Sequence, residues 1–429
     1  MRRFLRFFIV ILITIEARLI LRKYKPRIVA ITGSVGKTST KDALFTVLRP
    51  TFFVRKSEKS FNSDIGIPLT ILGAPNGWSN PLAWTRIILD GLKLILYPTH
   101  YPKLLVLEVG ADRPGDIKKI VRFVKPNVVV ITHLPDVPAH VEFFDSPESV
   151  IAEKGELVRA LRPGGILVVN YDDARARALK APEGVETITF GFTPDALIRG
   201  EDDVILYDGK QPVGMRMRAS YKNERVEISV MRALGRQHLY PVLAALAVAL
   251  SEGVSLENAA RTLTLHETPP GRMKIIKGKN NTTLIDDSYN SSPIAAEEAL
   301  EVMAKLDILG RKIAVLGDML ELGSFSPEEH RRIGELAAKK VHMLFAVGLR
   351  SRTMAESARR AGLPKDSVRH FTDALVAGEA LAAELHLGDV VLVKGSQSMR
   401  MERVVERAMA EPEHKKELLP RQEKEWQNR

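Results

Sequence analysis

The run Thr32-Gly33-Ser34-Val35-Gly36-Lys37-Thr38-Ser39 constrains the fold more than any other stretch of the chain. It follows Arg27–Ile31, a β-branched segment that reads as a buried strand, and it precedes Thr38–Leu48, whose apolar spacing is helical. Strand, glycine loop and helix in that order build a cradle for anions. The glycines let backbone N–H groups approach phosphate oxygens, and the helix turns its positive end toward them. In such a cradle Lys37 rests on the β- and γ-phosphates of ATP and Thr38 holds Mg²⁺, while Gly33, Ser34, Val35, Gly36 and Ser39 line the loop. The longer form of this pattern has a further glycine where Ile31 stands, so the loop is the shorter G-x-x-G-K-T variant.

Other strands follow the same logic. Leu104–Glu108, Val128–Thr132 and Ile166–Asn170 are short apolar runs that end in polar residues. Strands alternating with helices predict a parallel sheet covered on both faces, with ligand groups gathered at the strand C-terminal ends. From about Thr187 to Met231 short alternating runs predict antiparallel strands, and Leu239–Leu250 is alanine-rich and helical. Pro269-Pro270-Gly271 marks a hinge. Beyond it the α/β pattern restarts. Strands are expected at Thr283–Ile285, Ile313–Leu316, Met343–Val347 and Val390–Val393, and helices at Ile294–Leu306 and Pro327–Lys339. A chain of 429 residues is too long for one core. The divisions expected are an apolar and basic segment 1–26, a central ATP-binding domain 27–267, a C-terminal domain 268–410 and a charged, fraying tail 411–429.

Composition excludes several classes of function. There is no cysteine, which removes disulfides, thiolate zinc sites and thiol nucleophiles. The formal charge is +11, but no helix-turn-helix, zinc finger or RNA-binding aromatic motif accompanies it. No nucleic-acid partner is therefore expected, and the charge reads as phosphate-directed or membrane-proximal. Arg2, Arg3 and Arg6 precede the apolar run Phe7–Ile15, Glu16 and Arg18 interrupt it, and Arg22, Lys23 and Lys25 close it. That run is shorter than the ~20 residues a spanning helix needs. Two readings stand: a helix in the inner leaflet held by Phe4, Phe7 and Phe8, or an apolar helix packed on the ATPase domain. An ATP site places the chain in the cytoplasm, with residues 1–25 available to the inner face of the membrane.

Several polar residues acquire weight from their order. Glu108 ends a strand before Val109-Gly110-Ala111, and His140 is followed by Lys154 in Ala152-Glu153-Lys154-Gly155-Glu156. Asp286-Asp287-Ser288-Tyr289-Asn290, Gly317-Asp318-Met319-Leu320-Glu321-Leu322-Gly323 and Lys394-Gly395-Ser396 each follow an expected strand, forming one polar rim. Together with Asn62-Ser63-Asp64-Ile65-Gly66-Ile67-Pro68-Leu69-Thr70, these motifs resemble the Mur ligase family over roughly Arg27 to Glu406. The likeness is strongest to the MurF type, which adds D-alanyl-D-alanine to UDP-N-acetylmuramoyl-tripeptide.

The resemblance implies a P-loop central domain with a parallel sheet, joined to a Rossmann-like C-terminal α/β domain. It implies an ATP-dependent amide ligase of peptidoglycan synthesis that works through an acyl-phosphate with ATP and Mg²⁺; separately, a monomer is expected. It assigns Lys37 and Thr38 to the phosphates and first Mg²⁺, and Glu108 and His140 to a second Mg²⁺. Lys154 matches a lysine carbamylated by CO₂, Arg272 an arginine near the phosphates, and Asp287 an acid at the nucleotide ribose, with Asp286 as the other candidate. On the adenine side Gly235-Arg236-Gln237-His238 departs from the family's Gly-x-His-Asn, which leaves His238 to meet the base. The family also carries an N-terminal domain that grips uridine diphosphate. Only 26 residues precede the first strand here, so the acceptor is expected at the membrane or on another surface. Two further readings stay open: the same chemistry on another carboxylate and amine, or a non-catalytic membrane-bound P-loop protein.

Overall fold

The computed structural model describes residues 3–58, 61–138, 140–423 and 426, with only the backbone of residues 3–5. Arg2 and the side chains of Arg3 and Phe4 lie outside the described residues.

Two sheets organise the chain. The first contains β1 (Arg27–Thr32), β2 (Val54–Lys56), β3 (Leu104–Glu108), β4 (Val128–Ile131), β5 (Ile166–Asn170), β6 (Glu186–Gly191), β7 (Ile198–Asp208), β8 (Gln211–Tyr221) and β9 (Glu224–Met231). Their order is β2-β3-β1-β4-β5-β6-β7-β8-β9. Pairing is parallel from β2 to β7 and antiparallel through β7, β8 and β9. The expectation of antiparallel strands from Thr187 onward therefore begins one strand too early. Polar Thr187 and Thr189 alternate with buried Ile188 and Phe190, and this looks like a half-exposed hairpin strand although β6 extends the parallel sheet.

Alternation in β1 explains why both faces of this sheet are covered. Val29 and Ile31 join the core formed with Ala43 and Leu44, whereas Ile28 and Ala30 join the one formed with Ile13, Ile67 and Leu105. The first core is roofed by α2 (Lys37–Leu48) and by the buried helix Leu239–Ser251. The second is roofed by α1 (Arg3–Tyr24), α3 (Gly66–Leu72) and α4 (Pro81–Leu96). In α1 the side chains of Ile9, Ile13, Ala17 and Ile20 are buried. The segment thus packs on the ATPase domain through one face. No helix of the described residues is long and apolar enough to cross a membrane.

The second sheet contains β10 (Lys274–Lys277), β11 (Thr283–Asp287), β12 (Lys312–Gly317), β13 (Met343–Val347), β14 (Val368–Phe371) and β15 (Val390–Lys394), in the order β10-β11-β15-β12-β13-β14. Only β10 is antiparallel. Asp287 pairs in register with Lys394, so the polar ends of β11 and β15 meet at one edge. β10 is tied to the first half, Ile275 N–H donating to Arg232 O at 2.9 Å, and the hinge to the second, Tyr289 N–H donating to Gly271 O at 3.1 Å.

Fraying is expected from Glu411; residues 411–423 are instead ordered against the domain. Lys415–Leu418 is a helical turn, and Leu419 and Arg421 are buried. The Arg421 guanidinium donates to Glu402 at 2.8 Å and to the carbonyls of Ser288 and Tyr289. A charged composition hid the few side chains that dock.

Candidate active site

β1 ends at Thr32, and the chain turns through Gly33 and Gly36 into α2. Gly33 has φ 148° and a Cβ there would collide with the Thr132 hydroxyl, and Gly36 has φ 85°. Neither position suits a side chain. Ser34 N–H donates to His133 O at 2.7 Å, which ties the loop to the end of β4. Lys37 Nζ folds back onto Gly33 O at 2.9 Å and Ser34 O at 3.4 Å. Its ammonium is held below the usual lysine range, chiefly by burial.

Glu108, at the end of β3, is buried and accepts from the Thr38 hydroxyl at 3.1 Å. Its Oε2 has no hydrogen-bond partner and lies 3.6 Å from Lys41 Nζ. A buried carboxylate beside a P-loop threonine, with one oxygen unspent, is the chemistry a Mg²⁺-nucleotide site requires. Lys154 lies on the helix Pro147–Arg159, started by a Ser146 capping box, and its Nζ donates to Ser34 Oγ at 3.3 Å. Burial, with Lys37 close by, lowers its pKa to about 7.

His140 stands in the left-handed region at φ 68°, and Glu321 of the C-terminal domain does so at φ 62°. Strained non-glycine backbone concentrates at functional sites. The two side chains meet, His140 Nδ1 lying 2.5 Å from Glu321 Oε2, with Asp112 Oδ1 3.6 Å from Nε2. The Glu321 carboxyl is held below its usual range by that imidazole.

The residues to which the resemblance assigns roles, Asp286 excepted, line one of two adjoining cavities. Gly33, Lys37, Glu108, His140 and Lys154 face a space of about 610 Å³, which Leu320, Glu321 and Ser396 close from the other domain. Val35, Ser39, His238 and Asp287 line the second, and Ser34, Gly36, Thr38 and Arg272 line both. Among the described residues no three His, Asp or Glu side chains converge as a metal cluster, so Glu108 and His140 share the cavity without forming a preassembled cage.

Arg272 lies over the Tyr289 ring at 4.2 Å. Asp287 accepts from Lys394 Nζ at 2.6 Å and from Met273 N–H at 3.2 Å. Asp286 points elsewhere: it is wholly buried, Oδ2 is unpartnered, and burial raises its pKa to about 7. Asp287 is the member of the pair that reaches the cavity. His238 is buried and its pKa falls to about 3 through burial, so the ring is neutral. Its Nδ1 is 3.4 Å from Thr268 Oγ1, and Nε2 is unpartnered.

Lys41, Asp112 and the partnership of Lys394 with Asp287 were not singled out from the sequence. Lys41 follows Thr38 by three residues, about one helical turn, a spacing that could have flagged it. The other two depend on contacts between distant segments and left no local signal.

Comparison with known proteins agrees with this geometry. The Mur ligase middle domain matches residues 31–249, and the Mur ligase glutamate ligase domain matches residues 271–397. The UDP-N-acetylmuramoyl-tripeptide–D-alanyl-D-alanine ligase of Bacillus subtilis is 28% identical over 398 residues, covering 92% of this chain and 79% of its own. The ligase of the same name from Mycobacterium tuberculosis strain H37Rv is 30% identical over 411 residues, covering 90% and 73%. The crystal structure of MurF ligase from Thermotoga maritima in complex with ADP superposes with a TM-score of 0.75 at 25% identity, covering 93% of this chain and 83% of that one. A P-loop with its buried carboxylate, two α/β domains closing over one cavity, and matches through both domains agree: the chain belongs to the Mur ligase family.

Proposed function

We propose that this chain is an ATP- and Mg²⁺-dependent ligase that joins the terminal carboxylate of a UDP-muramoyl-tripeptide to the amine of D-alanyl-D-alanine. It acts in the cytoplasm as a monomer. The observation that carries the reading is the placement of Lys37 and Lys154, both drawn below the usual lysine range, in a cavity walled by two domains. The ligase names borne by the relatives support the choice of substrates.

In the first step a carboxylate oxygen attacks the γ-phosphorus and the bond to the ADP oxygen breaks. The Gly33–Thr38 loop orients the phosphates and the Lys37 ammonium neutralises charge on the transferred group. Thr38 would hold a first Mg²⁺, with Glu108 hydrogen-bonded beside it, and Glu108 and His140 would hold a second; Mg²⁺ bound there would supply charge neutralisation. In the second step the neutral amine, having shed a proton, attacks the acyl carbon and inorganic phosphate leaves. Contact between His140 and Glu321 holds the domains together over the cavity and excludes water that would hydrolyse the acyl-phosphate. His238, neutral and with a free ring nitrogen, suits the adenine, and Asp287 the ribose.

We read Lys154 as the site of a carbamate. Only a neutral amine adds CO₂, and a pKa of about 7 leaves much of Lys154 neutral at physiological pH. The product exchanges a cation for an anionic oxygen ligand beside the metal position.

The test is phosphate release from ATP and Mg²⁺ with UDP-muramoyl-tripeptide, with and without D-alanyl-D-alanine. Release that needs both, with the ligated product found by mass, is expected. Release only with a different acid and amine would leave the ligase chemistry and remove these substrates.

A further inference from the structure

An amphipathic helix that packs on a domain has a polar outward face. α1 does not. Opposite its buried face, Phe7, Phe8, Ile11, Leu12, Ile15 and Leu19 are all exposed, Phe7 by 62%. At the helical rise this apolar stripe is about 18 Å long. α4 lies alongside, burying Trp84, Ile87 and Gly91 and exposing Leu82, Leu89, Leu92 and Leu96. Half of the large apolar side chains exposed among the described residues sit on these two helices and the adjoining Tyr97. Single exposed leucines need no explanation, but a concentration of this kind marks an interaction surface.

The two helices form one rigid platform. Lys23 Nζ reaches from α1 to the carbonyls of Leu94, Ile95 and Tyr97 at 2.8, 3.0 and 2.5 Å. A Cβ at Gly91 would collide with the Glu16 carboxylate, so a glycine is needed for the helices to approach this closely.

Charge selects the occupant. Arg6, paired with Asp64, stands at one end of the stripe; at the other Arg22 stands exposed, and Arg18 is exposed with its guanidinium over the Phe123 ring. Glu16 is the one acidic residue of α1, and it is turned inward and buried. The outward face of α1 therefore offers apolar side chains and cations together. A second copy docking through the same face would bring like charges together, which disfavours that pairing. An anionic lipid surface satisfies both features. The inward face of α1 is committed to the core, so contact is interfacial rather than spanning.

We propose that the outward faces of α1 and α4 dock this enzyme on an anionic phospholipid bilayer. The surface lies next to the catalytic cavity: Arg6 is 3.9 Å from Asp64, in the loop whose Asn62 lines that cavity. The inference does not depend on which substrates are joined.

The experiment is co-sedimentation of the full chain with vesicles of phosphatidylcholine plus phosphatidylglycerol, against vesicles of phosphatidylcholine alone. Binding to the anionic vesicles that weakens with salt is expected. The variant Phe7→Ser/Leu12→Ser/Leu89→Ser loses it while keeping its melting temperature and ATP-dependent turnover. Arg18→Glu and Arg22→Glu, which leave the apolar stripe intact, each weaken binding about fivefold or more. Absence of binding to anionic vesicles, or binding unchanged in these variants, overturns the proposal. So does concentration-dependent dimerisation in light scattering that the serine variant abolishes while vesicles bind nothing.

Discussion

Two sets of lysines face adjoining cavities and are built in opposite ways. At the P-loop, Lys37 and Lys154 donate to neutral oxygens of Gly33, Ser34 and the Ser34 hydroxyl. Across the hinge, Lys394 is 2% exposed and lies 2.6 Å from Asp287. A buried cation without its own anion is destabilising until an anion arrives. A buried pair is self-sufficient, and losing one partner strands the other. The first arrangement therefore waits for phosphate or carboxylate, while the second holds a strand end in place and presents Asp287.

The largest effect expected is on the paired side. Lys394→Met should lower unfolding free energy by about 3 kcal/mol in urea melts, because Asp287 is left buried with no cation at Oδ2 and only the Met273 N–H at Oδ1. Adding Asp287→Leu should recover most of that loss. A stability unchanged by the single substitution would break the distinction between the clusters.

Lys37→Met should do the reverse. Ligation should fall on the order of 10²–10³-fold in steady-state phosphate release, with a melting temperature unchanged or raised. A melting temperature lowered by several degrees would make Lys37 part of the scaffold instead.

Lys154 sharpens the comparison through pH. Its ordinary value near 10.5 is lowered to about 7 in the fold. Between those limits the unfolded chain binds the extra proton, so stability rises with pH across this window. That rise should shrink in Lys154→Met. Carbon-13 NMR with labelled bicarbonate should show a carbamate signal growing as pH rises through about 7, absent in Lys154→Arg. A signal that persists in the arginine variant would place the carbamate elsewhere.

Glu16 shows the smallest effect and limits the rule. Burial pushes its pKa from 4.5 to about 7, and Oε2 has no partner, yet it sits between α1 and α4 and lines neither of these cavities. The fold keeps its proton where the unfolded chain has lost it, so stability declines as pH rises from 4.5 to about 7 and stays lower above. Glu16→Gln should stabilise the protein above pH 7 by about 1 kcal/mol in thermal melts. No gain would show that the carboxylate finds water or a cation there.

The sequence by itself determined the elements with a local physical cause. A β-branched run followed by glycines and a helix defines the phosphate loop, because only glycine adopts the conformations of Gly33 and Gly36. β3, β5 and β13 fall where their apolar runs predict, since strands covered on both faces read as unbroken hydrophobic segments. The family motifs, carrying Glu108, His140, Lys154 and Asp287, were likewise legible as ordered strings.

Tertiary structure decided whatever depends on partners distant along the chain. It turned Asp287 rather than Asp286 to the cavity, paired it with Lys394 and brought Glu321 onto His140. It docked Arg421 of a tail that looked unstructured onto Glu402. It also showed that α1 gives one apolar face to the core and leaves a second apolar stripe outward, flanked by Arg18 and Arg22. Burial sets these outcomes, and burial is a property of the assembled surface, not of any single segment.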